Sequence, residues 1–129
     1  MPRKPSSTPT EVELEILQVL WQRGPSTVKD VHQEVRRLRA TRLTTTLKQM
    51  QVMTAKGILR RDDSRRPQVY CPRFAEERTL RQLVGGLLDR AFGGSAERLV
   101  MHALATKKAS PDEIARIRKA LDRFEEGGK

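Results

Sequence analysis

Apolar residues recur every three or four positions in six separate stretches of this chain, and turn-forming residues interrupt the pattern between them. The first stretch follows Thr10 and Glu13, whose spacing predicts a capping box, and it ends at Gly24-Pro25. None of the stretches approaches the roughly 18 consecutive apolar residues of a membrane-spanning helix. The pattern therefore predicts a mainly helical protein without a transmembrane segment.

The second and third stretches predict two further short helices. One begins at Ser26 or Thr27 with Asp30 near its third position and ends near Arg39. The other follows a brief connection and closes at Lys56-Gly57; its apolar series is predicted to be Leu43, Leu47, Met50 and Met53 or Thr54. Three short helices joined in this way resemble a helix-turn-helix core.

Two β-prone segments, 58–61 and 68–71, follow the third helix and flank a polar, turn-rich tip. Three helices followed by a hairpin predict an N-terminal winged helix-turn-helix domain over residues 10–73. Residues 1–9 are polar, contain prolines and are predicted to form a disordered arm.

Residues 74–124 are predicted to form a C-terminal three-helix dimerisation domain, followed by a flexible tail over residues 125–129. Gly93-Gly94 divides its first two helices, and Ser110-Pro111 begins the third. The three helices have too little apolar surface for an independent bundle, so we expect them to pack against a second copy of the chain. The residues predicted to form this seam are Leu80, Leu83, Val84, Leu87, Leu88, Phe92, Leu99, Val100, Leu104, Ile117 and Leu121.

The positive charge is concentrated in one part of the chain. The formal net charge is +10, and residues 36–66 alone contain ten Lys and Arg against two Asp. A solvated surface without a ligand gains nothing from such self-repulsion, so the pattern favours a polyanionic partner such as double-stranded DNA.

The third predicted helix and the hairpin contain the candidate DNA contacts. Hydroxyl, amide and ammonium groups can reach base edges or phosphates, and a valine can contact a thymine methyl. On the helix these residues are Arg42, Thr44, Thr45, Lys48, Gln49 and Val52. Arg60, Arg61, Arg65 and Arg66 of the hairpin are candidates for phosphate or minor-groove contacts.

Catalysis and metal binding find little support in the sequence. His32 and His102 have no second ligand at metal-binding spacing, and Cys71 is the single cysteine. A lone cysteine and the lack of a secretory signal fit a cytoplasmic protein. We therefore expect no enzyme activity, no cofactor and no metal site.

Several motifs in this order resemble the penicillinase repressor family. They run over most of the chain, from about residue 10 to about residue 121. They are Thr10-x-x-Glu13-x-x-Ile16-Leu17-x-x-Leu20-Trp21, Gly24-Pro25, Val28-x-x-Val31-His32, Leu43-Thr44-Thr45-x-Leu47, Lys56-Gly57, Tyr70-x-Pro72, Phe92-x-Gly94-Ser95 and Ser110-x-x-Glu113-Ile114.

The resemblance implies a winged-helix DNA-binding domain, a helical dimerisation domain and repression through palindromic operators. It gives the recognition-helix role to Thr44, Thr45 and Lys48. It also implies a possible partner, a membrane sensor metalloprotease that cuts between asparagine and phenylalanine. His102-Ala103 stands at the matching position here, which argues against that cleavage, and the paired Cys-x-Cys motifs of the copper-responsive branch do not occur.

The sequence thus predicts a cytoplasmic, homodimeric transcriptional repressor that binds palindromic operators. Two other functions stay open at this point. One is a basic adaptor that docks an acidic protein, and the other is a nonspecific architectural DNA binder.

Overall fold

The computed structural model describes residues 8–127, and the chain divides into two compact units between Gly86 and Leu87. The predicted disordered arm lies outside the described residues except for Thr8 and Pro9. The elements, in chain order, are α1 (Glu11–Arg23), α2 (Val28–Val35), α3 (Leu43–Ala55), β1 (Leu59–Asp62), β2 (Val69–Pro72), α4 (Glu76–Ala91), α5 (Ala96–Thr106) and α6 (Pro111–Gly127).

Capping boxes begin the first two helices, as the sequence predicts. The Thr10 hydroxyl accepts a hydrogen bond from the Glu13 amide at 3.2 Å, and the Glu13 carboxylate accepts one from the Thr10 amide at 3.0 Å. Thr27 and Asp30 form the same reciprocal pair at 3.1 and 3.2 Å. Each box satisfies amides that the first helical turn leaves without partners.

The second helix ends at Val35, four residues before the predicted end near Arg39. The chain continues in turns instead, and Leu38 is 63% exposed. The Arg39 guanidinium donates to both Glu15 carboxylate oxygens, at 3.0 and 2.7 Å. This bidentate ion pair joins the turn to α1, a tertiary contact that the helical spacing of α2 does not predict.

The first unit has a buried apolar core to which α1, α2, α3 and both strands contribute. Its buried apolar residues are Ile16, Leu17, Val19, Leu20, Val31, Val35, Met50, Met53, Leu59 and Tyr70. The strands are antiparallel, and each begins one residue after its predicted start. Ser26 and Tyr70 exchange backbone hydrogen bonds of 3.0 and 2.8 Å, which attach the hairpin to the segment before α2.

The helix α4 runs from the first unit into the second, so the contact boundary lies inside this helix rather than next to Arg73. Thr79 of α4 is buried, at 5% exposed. This burial is why the contacts of the first unit extend past the hairpin.

In the second unit, Ser95 and Ser110 accept hydrogen bonds from the Arg98 and Glu113 amides at 3.1 Å each and cap α5 and α6. The last helix includes residues 125–127, which the sequence assigned to a flexible tail. The fold is thus mainly helical, a winged helix-turn-helix followed by a helical C-terminal region, as predicted.

Candidate nucleic-acid interface

The buried face of α3 differs from the predicted one. Thr46, Met50 and Met53 are at most 3% exposed, whereas Leu43 and Leu47 are 44% and 38% exposed. At about 100° per residue, the buried face is rotated by about 60° from the prediction. The prediction of Leu43 and Leu47 as core residues is therefore wrong.

The position of a threonine in the buried face has a structural reason. The Thr46 hydroxyl lies 3.0 Å from His32 Nδ1, so a hydrogen bond between α2 and α3 satisfies this buried polar group. The predicted apolar series of α3 does not include Thr46. The spacing of residues 46, 50 and 53 was the signal that could have identified this face.

Most of the predicted contact residues of α3 are exposed. Thr44, Thr45, Lys48 and Val52 are exposed, and Gln49 is half-buried. The rotated helix also exposes Gln51, which the sequence analysis did not select. At about 100° per residue, residues 44, 48 and 51 lie on the side opposite the core, so they form the centre of the exposed face.

The N-terminus of α3 is chemically different from those of α1 and α2. Its N-cap residue, Arg42, makes no side-chain capping hydrogen bond, and its first turn contains no acidic residue. The Thr45 amide donates to the Arg42 carbonyl at 3.0 Å, which leaves the Leu43 and Thr44 amides and the positive end of the helix dipole available to an anion from outside. The side chain of Arg42 is exposed beside them and adds a positive charge.

An ion pair with a buried carboxylate holds the opposite end of α3. Lys56 Nζ donates to Glu13 Oε2 at 2.8 Å, and Glu13 is only 2% exposed. Burial acts to raise the pKa of Glu13, but hydrogen bonds from Lys56 and Thr10, together with the charge of Lys56, outweigh it and lower that pKa below 4.5. The pair connects the start of α1 to the end of α3, so it helps set the orientation of the exposed helix face.

The hairpin wing has two arginines that are held by neighbouring carboxylates. Arg61 Nε donates to Asp63 Oδ1 at 2.6 Å, and this hydrogen bond raises the pKa of Arg61. Asp62 accepts a hydrogen bond from the Ser64 amide at 3.0 Å and lies 3.8 Å from the guanidinium of Arg65. Hydrogen bonds from Ser64 and the charge of Arg65 lower the pKa of Asp62.

The other two wing arginines are more available to a ligand. Arg60 and Arg66 are exposed, and neither forms an ion pair with a carboxylate within residues 8–127. Among the four wing arginines, these two can contact a phosphate without first breaking an internal ion pair.

The predicted seam residues are all exposed or half-buried within a single chain. Val84, Leu87 and Val100 are 43–44% exposed, and Leu121 is 54% exposed. The half-buried members are Leu83, Leu88, Phe92, Leu99, Leu104 and Ile117, and Leu80 is exposed. Met101 and Phe124, which the predicted seam does not include, are 62% and 74% exposed. Phe124 extends the apolar spacing of α6 beyond Leu121 and could have been found from that spacing.

His102 and Ala103 lie within α5, and both are exposed. The His102 ring contacts Phe92, with the ring centroids 5.6 Å apart. Within residues 8–127, no cluster of three or more His, Cys, Asp or Glu side chains is arranged to hold a metal ion. The same described residues contain no helix that is long and apolar enough to cross a membrane.

A helix-turn-helix core, a two-stranded wing and an exposed, uncapped third helix define a winged-helix protein with a helical C-terminal region. The model of the penicillinase repressor family matches residues 9–123, and the chain belongs to this family. Comparison with curated proteins finds no match. Membership of a repressor family implies DNA binding and the regulation of transcription.

Proposed function

We propose that the protein is a homodimeric transcriptional repressor that binds a palindromic operator in double-stranded DNA. In this proposal, α3 enters the major groove and the wing contacts the phosphate backbone or the adjacent minor groove. Repression follows when the bound dimer covers a promoter. The observation that carries the proposal is the open N-terminus of α3, next to a basic, exposed helix face.

The exposed face of α3 has the chemistry that base recognition requires. Lys48 can donate to a guanine edge or a phosphate, and the hydroxyls of Thr44 and Thr45 can bind base edges or phosphates. Val52, which is 39% exposed, can contact a thymine methyl. We add Gln51 to these candidates and assign Gln49 a smaller role because it is half-buried.

Charged groups beside this face would hold the protein on the duplex. A phosphate at the start of α3 would receive hydrogen bonds from the free amides and from Arg42. Arg60 and Arg66 are proposed as the principal wing contacts. Arg61 and Arg65 contribute less because Asp63 and Asp62 already neutralise part of their charge.

A dimer would explain the apolar residues that the second unit leaves exposed. We propose that a second copy of the chain covers these residues. A palindromic operator has twofold symmetry, which matches the twofold symmetry of a homodimer. The two α3 helices would then enter successive major grooves about 34 Å apart.

Operator binding can be tested by fluorescence anisotropy on a fragment selected from genomic DNA with the full-length protein. We expect protection of two half-sites in a footprint. A dimer with roughly six to ten phosphate contacts should lose about 10³–10⁵ in affinity between 50 and 200 mM salt. A flat salt response, or equal affinity for a scrambled fragment, would contradict sequence-specific binding. The latter result would indicate an architectural DNA binder, and no DNA binding at all would indicate an adaptor.

The proposal includes no catalytic step and no cofactor, and it places the repressor in the cytoplasm with its DNA.

We also propose that relief of repression does not depend on cleavage at His102-Ala103. Co-expression with a sensor metalloprotease of a related operon, followed by mass spectrometry of the repressor, tests this point. An intact bond is expected, and fragments ending at His102 would refute the proposal.

A further inference from the structure

The first unit contains a cavity of about 390 Å³ at the base of the wing. Its walls come from α1, the turn between α3 and β1, the residues after β2, and the first turns of α4. The volume lies within the range of small-molecule sites in proteins, which is about 300–1,000 Å³. The proposed DNA contacts do not use this cavity.

Three cationic side chains line the cavity, namely Lys56, Arg73 and Arg78. Lys56 is paired with Glu13, as described above. Neither arginine forms an ion pair with a carboxylate within residues 8–127. The cavity wall therefore contains two guanidinium groups whose charge has no carboxylate counterpart in the described chain.

Both arginines are exposed, and one aromatic ring lies beside their guanidinium groups. The Cζ atoms of Arg78 and Arg73 lie 4.2 and 5.7 Å from the centroid of the Phe74 ring. Such cation–π contacts orient a guanidinium group while leaving its N–H donors available at the edge. The Arg73 amide also donates to the Ile58 carbonyl at 2.9 Å, which anchors this residue beside the turn.

The rest of the wall combines apolar surface with the polar side chains of Thr79 and Gln82. Leu17, Ile58 and the Phe74 ring contribute carbon surface beside the guanidinium groups. A ligand that matches both parts has a carboxylate for the guanidinium groups and a ring or branched chain for the carbon surface. Carboxylates suit this site because their two oxygens can accept paired N–H donors from one arginine.

We propose that this cavity binds a small organic carboxylate with an apolar ring or branched chain, and that the bound ligand changes the affinity for the operator. The carboxylate accepts hydrogen bonds from Arg73 and Arg78, and the apolar group packs on Phe74 and Ile58. The binding site itself does not depend on the proposed function, whereas its effect on the operator does.

The cavity is separate from the α3 surface that is assigned to base recognition. Thr44 and Lys56 are twelve residues apart in the sequence, which corresponds to about 18 Å along a helix axis. A ligand would instead bridge the base of the wing and the start of α4. Because α4 continues past Gly86 into the second unit, a ligand held at its first turns is positioned to influence both DNA contact and dimer geometry.

Binding can be measured without DNA. The chain contains one tryptophan, Trp21, and its indole Nε1 donates to the Phe74 carbonyl at 3.3 Å. Its fluorescence should therefore report ligand binding next to Phe74. We expect cyclohexanecarboxylate, which does not absorb with tryptophan, to cause a saturable change, and the neutral cyclohexanecarboxamide to bind about tenfold more weakly or not at all. The absence of saturation up to the solubility of the acid, or equal binding of the amide, would overturn the proposal.

A matched pair of variants tests the role of the guanidinium groups. Arg78→Gln should weaken cyclohexanecarboxylate binding by about tenfold, because it removes a charge-assisted hydrogen-bond donor. Arg81→Gln is the control, since Arg81 is exposed on the same helix but does not line the cavity. Circular dichroism verifies that both variants fold. Equal affinity of folded Arg78→Gln and Arg81→Gln would refute the assignment.

The effect on DNA is measured separately, as operator affinity with and without saturating cyclohexanecarboxylate. We expect a change in operator affinity in the natural sequence that Arg78→Gln abolishes at the same ligand concentration. A saturable change in Trp21 fluorescence without any change in operator affinity would overturn the proposed effect on the operator. The proposed ligand site would then stand. If Arg78→Gln weakens operator binding but leaves cyclohexanecarboxylate binding unchanged, Arg78 is a phosphate contact and the site is wrongly assigned. If the fluorescence saturates but no DNA binds, the proposed function fails and the site remains.

Discussion

The two units of the molecule have similar helical patterns but bury them differently. In the first unit, ten apolar residues are buried, and Met50, Met53 and Val31 are fully inaccessible. Within residues 87–127, no residue is buried. The apolar spacing of α6 is as regular as that of α1, yet Phe124 remains 74% exposed. Regular spacing therefore predicts a helix and its apolar face but does not tell what covers that face.

This difference indicates where the stability of each unit originates. The first unit combines helices with a hairpin and excludes water from one core, so its fold is stabilised within one chain. The second unit exposes the surface that a core would normally bury. In our proposal, its stability depends on association with a second copy and therefore on protein concentration.

The largest expected effect comes from placing charges in the proposed seam. Leu83→Asp combined with Leu87→Asp should produce monomers in analytical ultracentrifugation, because a buried unpaired carboxylate opposes association. Operator affinity should fall by about 10²–10⁴, since the two DNA-binding units would no longer bind as one linked pair.

A control with the same change in net charge is Arg116→Gln combined with Lys119→Gln. Both residues are exposed on α6 and lie on the side opposite Ile117 and Leu121. This control should remain dimeric and retain its operator affinity apart from a small loss of electrostatic attraction. If the double aspartate variant stays dimeric, the seam does not include these leucines.

The next effect compares a core residue with a seam residue of similar size. Met53→Ala should lower the free energy of unfolding by about 2–5 kcal/mol at every protein concentration, because Met53 is fully buried. Leu121→Ala should have an effect that depends on concentration, because its partner surface is on the other chain. Urea unfolding at two protein concentrations distinguishes them. If both variants lose the same free energy of unfolding at both protein concentrations, the stability of the second unit does not depend on association.

Features that depend on local contacts could be predicted from the sequence, whereas features that depend on tertiary contacts were harder to predict. Both capping boxes could be predicted because their partners lie three residues apart. The rotation of α3 was harder to predict, since it buries the hydroxyl of Thr46, whose hydrogen-bond partner is His32 of another helix. The ion pair of Arg39 with Glu15, which joins the turn after α2 to α1, is likewise a tertiary contact. The sequence placed the candidate contact residues on a helix and a hairpin that the structure contains, but the orientation of α3 required tertiary contacts.

A smaller effect concerns DNA recognition by the first unit alone. Lys48→Ala should weaken operator binding by about 1–2 kcal/mol because it removes one charged contact. If Lys48 binds a phosphate, the slope of the logarithm of the binding constant against the logarithm of the salt concentration should also decrease in magnitude by about one. The affinity for all DNA sequences should then decrease equally. If it binds a base, the loss should be largest for the operator. Lys119→Ala in the second unit is the control, and equal anisotropy curves for the two variants would remove Lys48 from the interface.

The smallest expected effect is the loss of stability of the first unit at acidic pH. The lowered pKa of Glu13 means that its ionised form contributes stability above the ordinary pKa of 4.5, and this contribution is lost as the pH falls through the lower value of the folded state. Urea unfolding followed by Trp21 fluorescence should therefore show declining stability below pH 4.5. Glu13→Gln should be less stable than the natural sequence at pH 7, because Lys56 loses its partner, and the difference should narrow in acid. A constant difference from pH 7 to pH 3 would show that the Glu13 side chain acts through packing and not through its charge.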